Sequence, residues 1–445
     1  MADVDAGIVR GGFTPSQRAC SPFVSGALFF LACGVPHFVI SLPGGGDMAR
    51  STDFVAAACL ALYAFVRTSA ASRITSQEFL LLFFLFGTTM VSVAFYMIAF
   101  FVPAWVARVG LEQMLYVLRH IFLFSPALLA LALQTERRKM ARWGLMIFAL
   151  AAVFIIFMTV MYSRSRWFQA NQSITLSFGG LNMAYYKRMG GLVGESGAYG
   201  FHAMFVWYGL IFFAYLSRLN RLAVILLIAT PVWLAFVYVP SQTRIILPAC
   251  AVFLLAMSLQ RPIMRPTTAA FVIAGFCAAF AAIIASSMMG GWNLPFGGAA
   301  FTRLSALASG GMDADGVTSG RLSHWAEIMP WVLQNPLFGY GYRSTRFLVM
   351  VATENVFIQG MMEYGLILFS VMCLWIIRLW ISVGRTGRER PELAPAAATL
   401  RAIMLAAFVQ WQFNDINTYY QTFPMLLAII AMFTTLREER VRDAG

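Results

Sequence analysis

Apolar runs close to the length of a bilayer crossing, about 20 residues, recur from one end of this chain to the other and constrain its fold more than any other feature. They lie near 21–42, 51–66, 79–102, 114–133, 143–162, 197–216, 222–239, 245–259, 267–288, 355–377, 400–416 and 421–436. In hydrocarbon the backbone must satisfy its own N–H and C=O groups, so runs of this kind become helices. The expectation is an all-α polytopic membrane protein of roughly twelve transmembrane helices. Composition agrees, with 60% hydrophobic and only 11% charged residues, whereas soluble domains carry about a quarter charged.

Basic residues concentrate in cytoplasmic connections of membrane proteins, and roughly two-thirds of the 32 Lys and Arg fall on one alternate set of connections. Arg67, Arg137, Arg138, Lys139, Arg218, Arg221, Arg385 and Arg388 belong to that set, and assigning it to the cytoplasm puts both termini there. The net charge of +13 then follows from topology and attraction to anionic lipid, and nucleic acid is not implied. Arg119 is the exception, an arginine inside a run, and a charge at membrane depth is a functional candidate.

The chain divides into a cytoplasmic segment 1–20, helices within 21–162, an outer loop 163–196, helices within 197–288, a large outer loop 289–354, helices within 355–436 and a tail 437–445. The basic, proline-containing stretch from Arg378 to Arg401 reads as a connector at the anionic leaflet. The first run follows Arg18 as a signal sequence would, but is long and lacks a small-residue cleavage site, so it is expected to stay as a helix. The 6 cysteines show no Cys-x-x-Cys spacing, and neither a disulfide framework nor a zinc site is expected.

Within the large outer loop, "TSGRLSHWAEIMPWVLQNPLFGYGYRS" keeps charges among aromatic residues, glycines and prolines. Leu322, Trp325, Ile328, Met329, Val332 and Leu333 recur at helical spacing, which predicts an amphipathic helix lying along the membrane surface. Thr318 or Ser319 would cap it, placing Arg321 at a helix start that favours an anion. Pro330 predicts a break or kink midway, and the helix is expected to end near Asn335-Pro336, with the following glycines turning Arg343 and Arg346 back. Arg188, Arg244, Arg303, Arg321 and Arg343 all fall on the side that normally loses basic residues. Such a cluster suits a diphosphate, because the guanidinium fork binds phosphate oxygens in pairs. For Arg244 alone, "PSQTR" at a helix start is better explained by snorkelling to headgroups, and it is the cluster that points to an anion.

Three carboxylates are candidates for a base: Glu195, Glu354 and Glu363. Burial would raise their pKa and neighbouring arginines would lower it. His324 reads as a rim residue, whereas His37, His120 and His202 are isolated in apolar runs and read as packing or hydrogen-bonding residues. No Walker-type lysine loop, no Cys/His metal set and no Asp-rich pair appears, so no metal or cofactor is expected and the energy must come with the substrate.

Arg321, Trp325, Asn335, Pro336, Gly339, Gly341, Asn355, Glu363 and Gly365, with "RMGGLVGESGAYG" and "SQTRIILPA" upstream, together resemble the signature region of the O-antigen ligase and polymerase superfamily. The resemblance covers about 185–370. It implies a metal-independent, inverting glycosyltransferase of the C type in the bacterial inner membrane, with its active site facing the periplasm. The implied donor is an undecaprenyl-diphosphate-linked oligosaccharide. Arg188, Arg244 and Arg321, helped by Arg303 and Arg343, would hold the diphosphate. His324, Trp325, Tyr342 and Asn355 would contact donor or acceptor glycan, and Glu354 or Glu195 would take the acceptor's proton. Glu354 stands where ligases of the family carry histidine, which favours a polymerase over a ligase. Membrane lipid, a flippase and chain-length regulators are the implied partners. A transporter of lipid-linked sugars is the alternative from another class.

Overall fold

A computed structural model describes residues 38–41, 47–69, 74–101, 111–133, 136–164, 174–177, 180–183, 196–241, 243, 245–259, 270, 273–278, 321–349, 355–412 and 422–436. Its helices are α1 (Ser51–Ser69), α2 (Ser76–Phe101), α3 (Leu111–Ala132), α4 (Arg137–Arg164), α5 (Ser196–Leu216), α6 (Asn220–Ser241), α7 (Ile246–Ser258), α8 (Arg321–Gln334), α9 (Ser344–Leu348), α10 (Val356–Glu389), α11 (Ala394–Trp411) and α12 (Thr422–Thr434). Among the described residues, 6 helices are long and apolar enough to cross a membrane. The protein is a helical membrane protein.

α1 to α7 and α10 to α12 coincide with expected runs, while 21–37 and 279–288 of the remaining two lie outside the described residues. The last residues of the first run, Phe38–Ser41, form a strand (β1) rather than helix. β1 pairs antiparallel with Asp47–Arg50 (β2) and parallel with Ile174–Ser177 (β3), which pairs antiparallel with Gly180–Met183 (β4). Phe-Val-Ile and Ile-Thr in β1 and β3 are residue types that favour strands. The small sheet joins the approach to α1 to the segment after α4.

Antiparallel neighbours define two ends of the bundle. At the basic end, Arg67 at the close of α1 pairs with Glu78 at the start of α2, Arg137 of α4 donates to the Leu216 carbonyl closing α5 at 3.2 Å, and Arg390 donates to the Leu436 carbonyl after α12 at 3.1 Å. At the other end, called the mouth, the Thr159 and Tyr199 hydroxyls of α4 and α5 lie 2.6 Å apart, and His202 Nδ1 of α5 lies 3.2 Å from Thr422 Oγ1 at the start of α12.

The centre belongs to helices that are apolar all round. Every residue of α12 from Thr422 to Phe433 is buried, and α5 is buried along most of its length. The outer helices each leave one apolar stripe bare, such as Phe79, Phe83, Phe86, Met90 and Met97 on α2. Glycine seats draw α4 and α5 together: Gly144 faces the Phe213 ring and Gly209 faces the Phe148 ring, the small-residue contact by which helices approach closely in lipid.

The basic stretch expected as a connector is helical almost throughout. α10 continues to Glu389, a 3-10 turn covers Pro391–Leu393, and α11 begins at Ala394. Pro391 and Pro395 occupy first-turn positions, where a missing N–H costs nothing. α10 is not one continuous helix either, because Gly365 within it has φ 66° and ψ 171°. That break builds the site.

Candidate functional site

α8 covers the expected amphipathic segment. Ile328 and Val332 are buried in a cluster with Phe95, Tyr96, Val117, Leu348 and Met362, while Leu322, Met329, Leu333, Leu337 and Phe338 are exposed. The inward stripe is therefore narrower than the sequence pattern, and the rest of the apolar surface faces away from the bundle, as an interfacial helix requires. The helix runs through Pro330, so the interruption expected there is not a break in the helix. Pro330 and Ala326, whose carbonyl loses its helical donor, are both on the exposed side.

The loop after α8 completes a broken helix. Without the break, the amides of Leu366 and Ile367 would bond to the carbonyls of Met362 and Glu363. Instead the Tyr340 and Gly341 amides donate to the Met362 and Glu363 carbonyls, each at 2.9 Å, and the Leu366 and Ile367 amides donate to the Pro336 and Leu337 carbonyls at 2.7 and 3.3 Å. Two helical bonds are replaced by four between loop and helix, so the Met362 and Glu363 carbonyls and the Leu366 and Ile367 amides all keep partners. Asn335 Nδ2 donates to the Gly339 carbonyl at 2.5 Å and closes the loop on itself.

The three glycines of the motif follow from this contact. Gly339 has φ 67°, and a Cβ there would lie 2.7 Å from the Met362 carbonyl oxygen. Gly365 would drive a Cβ into the backbone of Leu337 and Phe338, and Gly341, with φ 87°, would place one 2.7 Å from Ser92 Cα.

Beyond the glycines the chain enters the bundle. The Tyr342 amide donates to Ser92 Oγ at 2.9 Å and its carbonyl accepts from the Tyr96 hydroxyl at 2.5 Å. The Tyr342 ring lies 4.6 Å from the His120 ring, which is also enclosed by Phe84, Phe124 and Tyr364. Arg343 follows, only 2% exposed and held at φ 64°, a left-handed backbone unusual for a non-glycine residue. Thr345 Oγ1 donates to Glu363 Oε1 at 2.8 Å and Gln359 Nε2 donates to the same oxygen at 3.1 Å. Glu363 is fully buried. Its carboxylate grips α9 and its carbonyl grips Gly341, so it holds the chain on both sides of Arg343.

Asn355 is the N-cap of α10, its Oδ1 accepting from the Phe357 and Ile358 amides at 2.8 and 3.1 Å. Its Nδ2 donates to the Gln412 carbonyl at 3.0 Å, joining α10 to the end of α11. Both ends of the amide serve the fold.

Of the residues expected from sequence, Arg321, His324 and Trp325 lie half-buried on the first turn of α8, and Tyr342, Arg343 and Asn355 are buried below. Glu195, Glu354, Arg188, Arg244 and Arg303 lie outside the described residues, as do Thr318 and Ser319 and the side chain of Arg119. Among the described residues, Gly200 near the start of α5 lies against Thr243, between α6 and α7. Glu363, one of the three candidate carboxylates, is the one among the described residues, and it bonds to Gly341 and Thr345 on either side of Arg343. Its signal was Gln359 four residues earlier, which puts both on one helix face. The reading of His120 and His202 as packing or hydrogen-bonding residues agrees with their contacts, while His37 is outside the described residues. No protein-family model matches this chain, and no curated protein matches it.

Proposed function

We propose that the protein is a polysaccharide polymerase of the bacterial inner membrane, moving a glycan chain from undecaprenyl diphosphate to the sugar of an incoming lipid-linked repeat unit. The observation that carries this reading is the buried Arg343, set in unfavourable backbone geometry between two grips of Glu363 and beneath an interfacial helix that begins with Arg321. Backbone strain of this kind persists where the surroundings over-determine it, and it clusters at functional sites.

In this reading Arg321 and Arg343, with Arg188, Arg244 and Arg303, bind the diphosphate and neutralise the charge that grows on it as the anomeric C–O bond breaks. The acceptor hydroxyl attacks from the opposite face, forming the new C–O bond. A carboxylate, Glu354 or Glu195, takes its proton. Undecaprenyl diphosphate leaves. No metal is needed because guanidinium groups supply the positive charge.

Purified protein incubated in detergent with a lipid-linked repeat unit should lengthen the glycan and release polyprenyl diphosphate, with or without EDTA. Arg321→Ala should lose at least about a hundredfold in turnover, the scale of removing one charge-stabilising donor, while inserting normally. Wild-type turnover in Arg321→Ala, or a need for added magnesium, would overturn the reading. Sizing the surface glycan of a deletion strain separates this enzyme from a ligase, which would leave long chains on the carrier lipid.

A further inference from the structure

At the basic end, far from the mouth, α10 and α11 lie against each other closely enough that a Cβ on Gly387 would meet the Ala397 Cβ at 2.6 Å. In their seam the Arg401 guanidinium carbon sits 4.4 Å from the centre of the Trp380 ring, and a Cβ on Gly384 would touch its Nη1 at 3.5 Å. Arg388 stands one turn beyond Gly384 on α10 and next to Gly387, both of which face α11 at Arg401 and Ala397, so the two arginines share the seam. Among the described residues Arg385 pairs with Glu389 at 3.3 Å, whereas no carboxylate pairs with Arg388 or Arg401, and the buried Nε of Arg401 has no hydrogen-bond partner. Two like charges are thus held near each other by stacking and helix packing, an arrangement that an anion between them would relieve.

The flanking surface says what kind of anion. Along one face of α10, exposed Leu374, Ile377 and Ile381 give way to Arg385 and Arg388. Along α11, exposed Phe408 and Leu405 give way, at the same helical spacing, to Arg401. Both helices change from aliphatic to arginine toward the same end, with an indole at the boundary, where such rings settle between acyl chains and headgroups. We propose that this seam binds an anionic phospholipid, its phosphate between Arg388 and Arg401 and its acyl chains along Ile377, Ile381, Leu405 and Phe408.

Native mass spectrometry of the purified full chain, exchanged into detergent micelles containing phosphatidylglycerol or phosphatidylcholine, tests the site. Wild type should retain phosphatidylglycerol preferentially. Arg388→Gln and Arg401→Gln should each weaken retention about fivefold, the effect of one arginine at an anionic surface, and Arg385→Gln, the same change of charge at a residue already paired, should retain it as wild type does. Arg388 is exposed, so its variant probes the site without disturbing packing. Equal retention of both lipids, or equal loss in all three variants, would overturn the site. Competition by glycerol phosphate as effective as the whole lipid would also overturn it, by making it a site for soluble anions. These outcomes are independent of glycosyl transfer at the mouth.

Discussion

Gly339, Gly341 and Gly365 each adopt positive φ, yet they differ from the other glycines of the bundle in what a side chain would strike. At Gly360 the obstacle is the Phe369 side chain, whereas at Gly365 it is the backbone of Leu337 and Phe338, which cannot move without parting the loop from α10. Gly365→Ala should therefore cost about 1–3 kcal/mol from backbone geometry alone, with more for the lost loop contacts. Its apparent melting temperature in detergent should fall further than that of Gly360→Ala, and equal falls would mean that the break is not held by the loop. The sequence announced Gly339 and Gly341 as punctuation after Asn-Pro, but not that Gly339 and Gly365 meet, because the contact joins segments on either side of α9. Glu363 was similarly half-legible: its residue type made it a candidate, and only the fold bonded it to Gly341 and Thr345, on either side of Arg343.

Helix ends show the same division between local and long-range information. Thr75 and Glu78 form a capping box at the start of α2, with the Glu78 amide donating to Thr75 Oγ1 at 3.2 Å and the Thr75 amide donating to Glu78 Oε2 at 2.9 Å. The other Glu78 oxygen takes the Arg67 guanidinium from α1, so one buried carboxylate closes a helix start and an interhelical corner. Thr75→Ala should cost about 1 kcal/mol, the usual loss of a cap. Glu78→Gln should cost about 3 kcal/mol or more by leaving Arg67 without its anion, and Arg67→Met combined with Glu78→Gln should recover part of that. Thermal unfolding of the variants checks the order, and an additive double variant would mean that the pair is not coupled. The box is readable from "TSQE", but the arginine that joins it is not. α8 was legible from its apolar period. Its course through Pro330 was not, because exposure of Ala326 and Pro330 is set by how the helix lies on its neighbours. The α10–α11 hairpin was misread because arginines and prolines suggest a loop, whereas Pro391 and Pro395 stand where helices tolerate them.

For the molecule as a whole, alternating helix direction, rather than any single loop, decides where the functional groups face. The apolar runs made that alternation predictable, and the ion pairs and carbonyl contacts at the basic end are arranged as it requires. The sheet was not foreseen, since strands of four residues carry too short an alternation to stand out in an apolar chain, and β1 and β3 meet from distant segments. If the basic end is cytoplasmic, as arginine-rich connections tend to be, then exposed Arg138 and Glu392 face the cytoplasm while Ser323 and Glu327 on α8 face outward. Single cysteines at these positions, in a chain whose native cysteines are replaced by serine or alanine, should divide accordingly. A membrane-impermeant maleimide should label the α8 pair in intact spheroplasts and the Arg138 and Glu392 pair only after permeabilisation. Labelling of all four from one side would break the two-ended arrangement. The reverse pattern would leave the fold intact but turn the mouth toward the cytoplasm, removing an outward-facing acceptor from its reach and with it the polymerase reading.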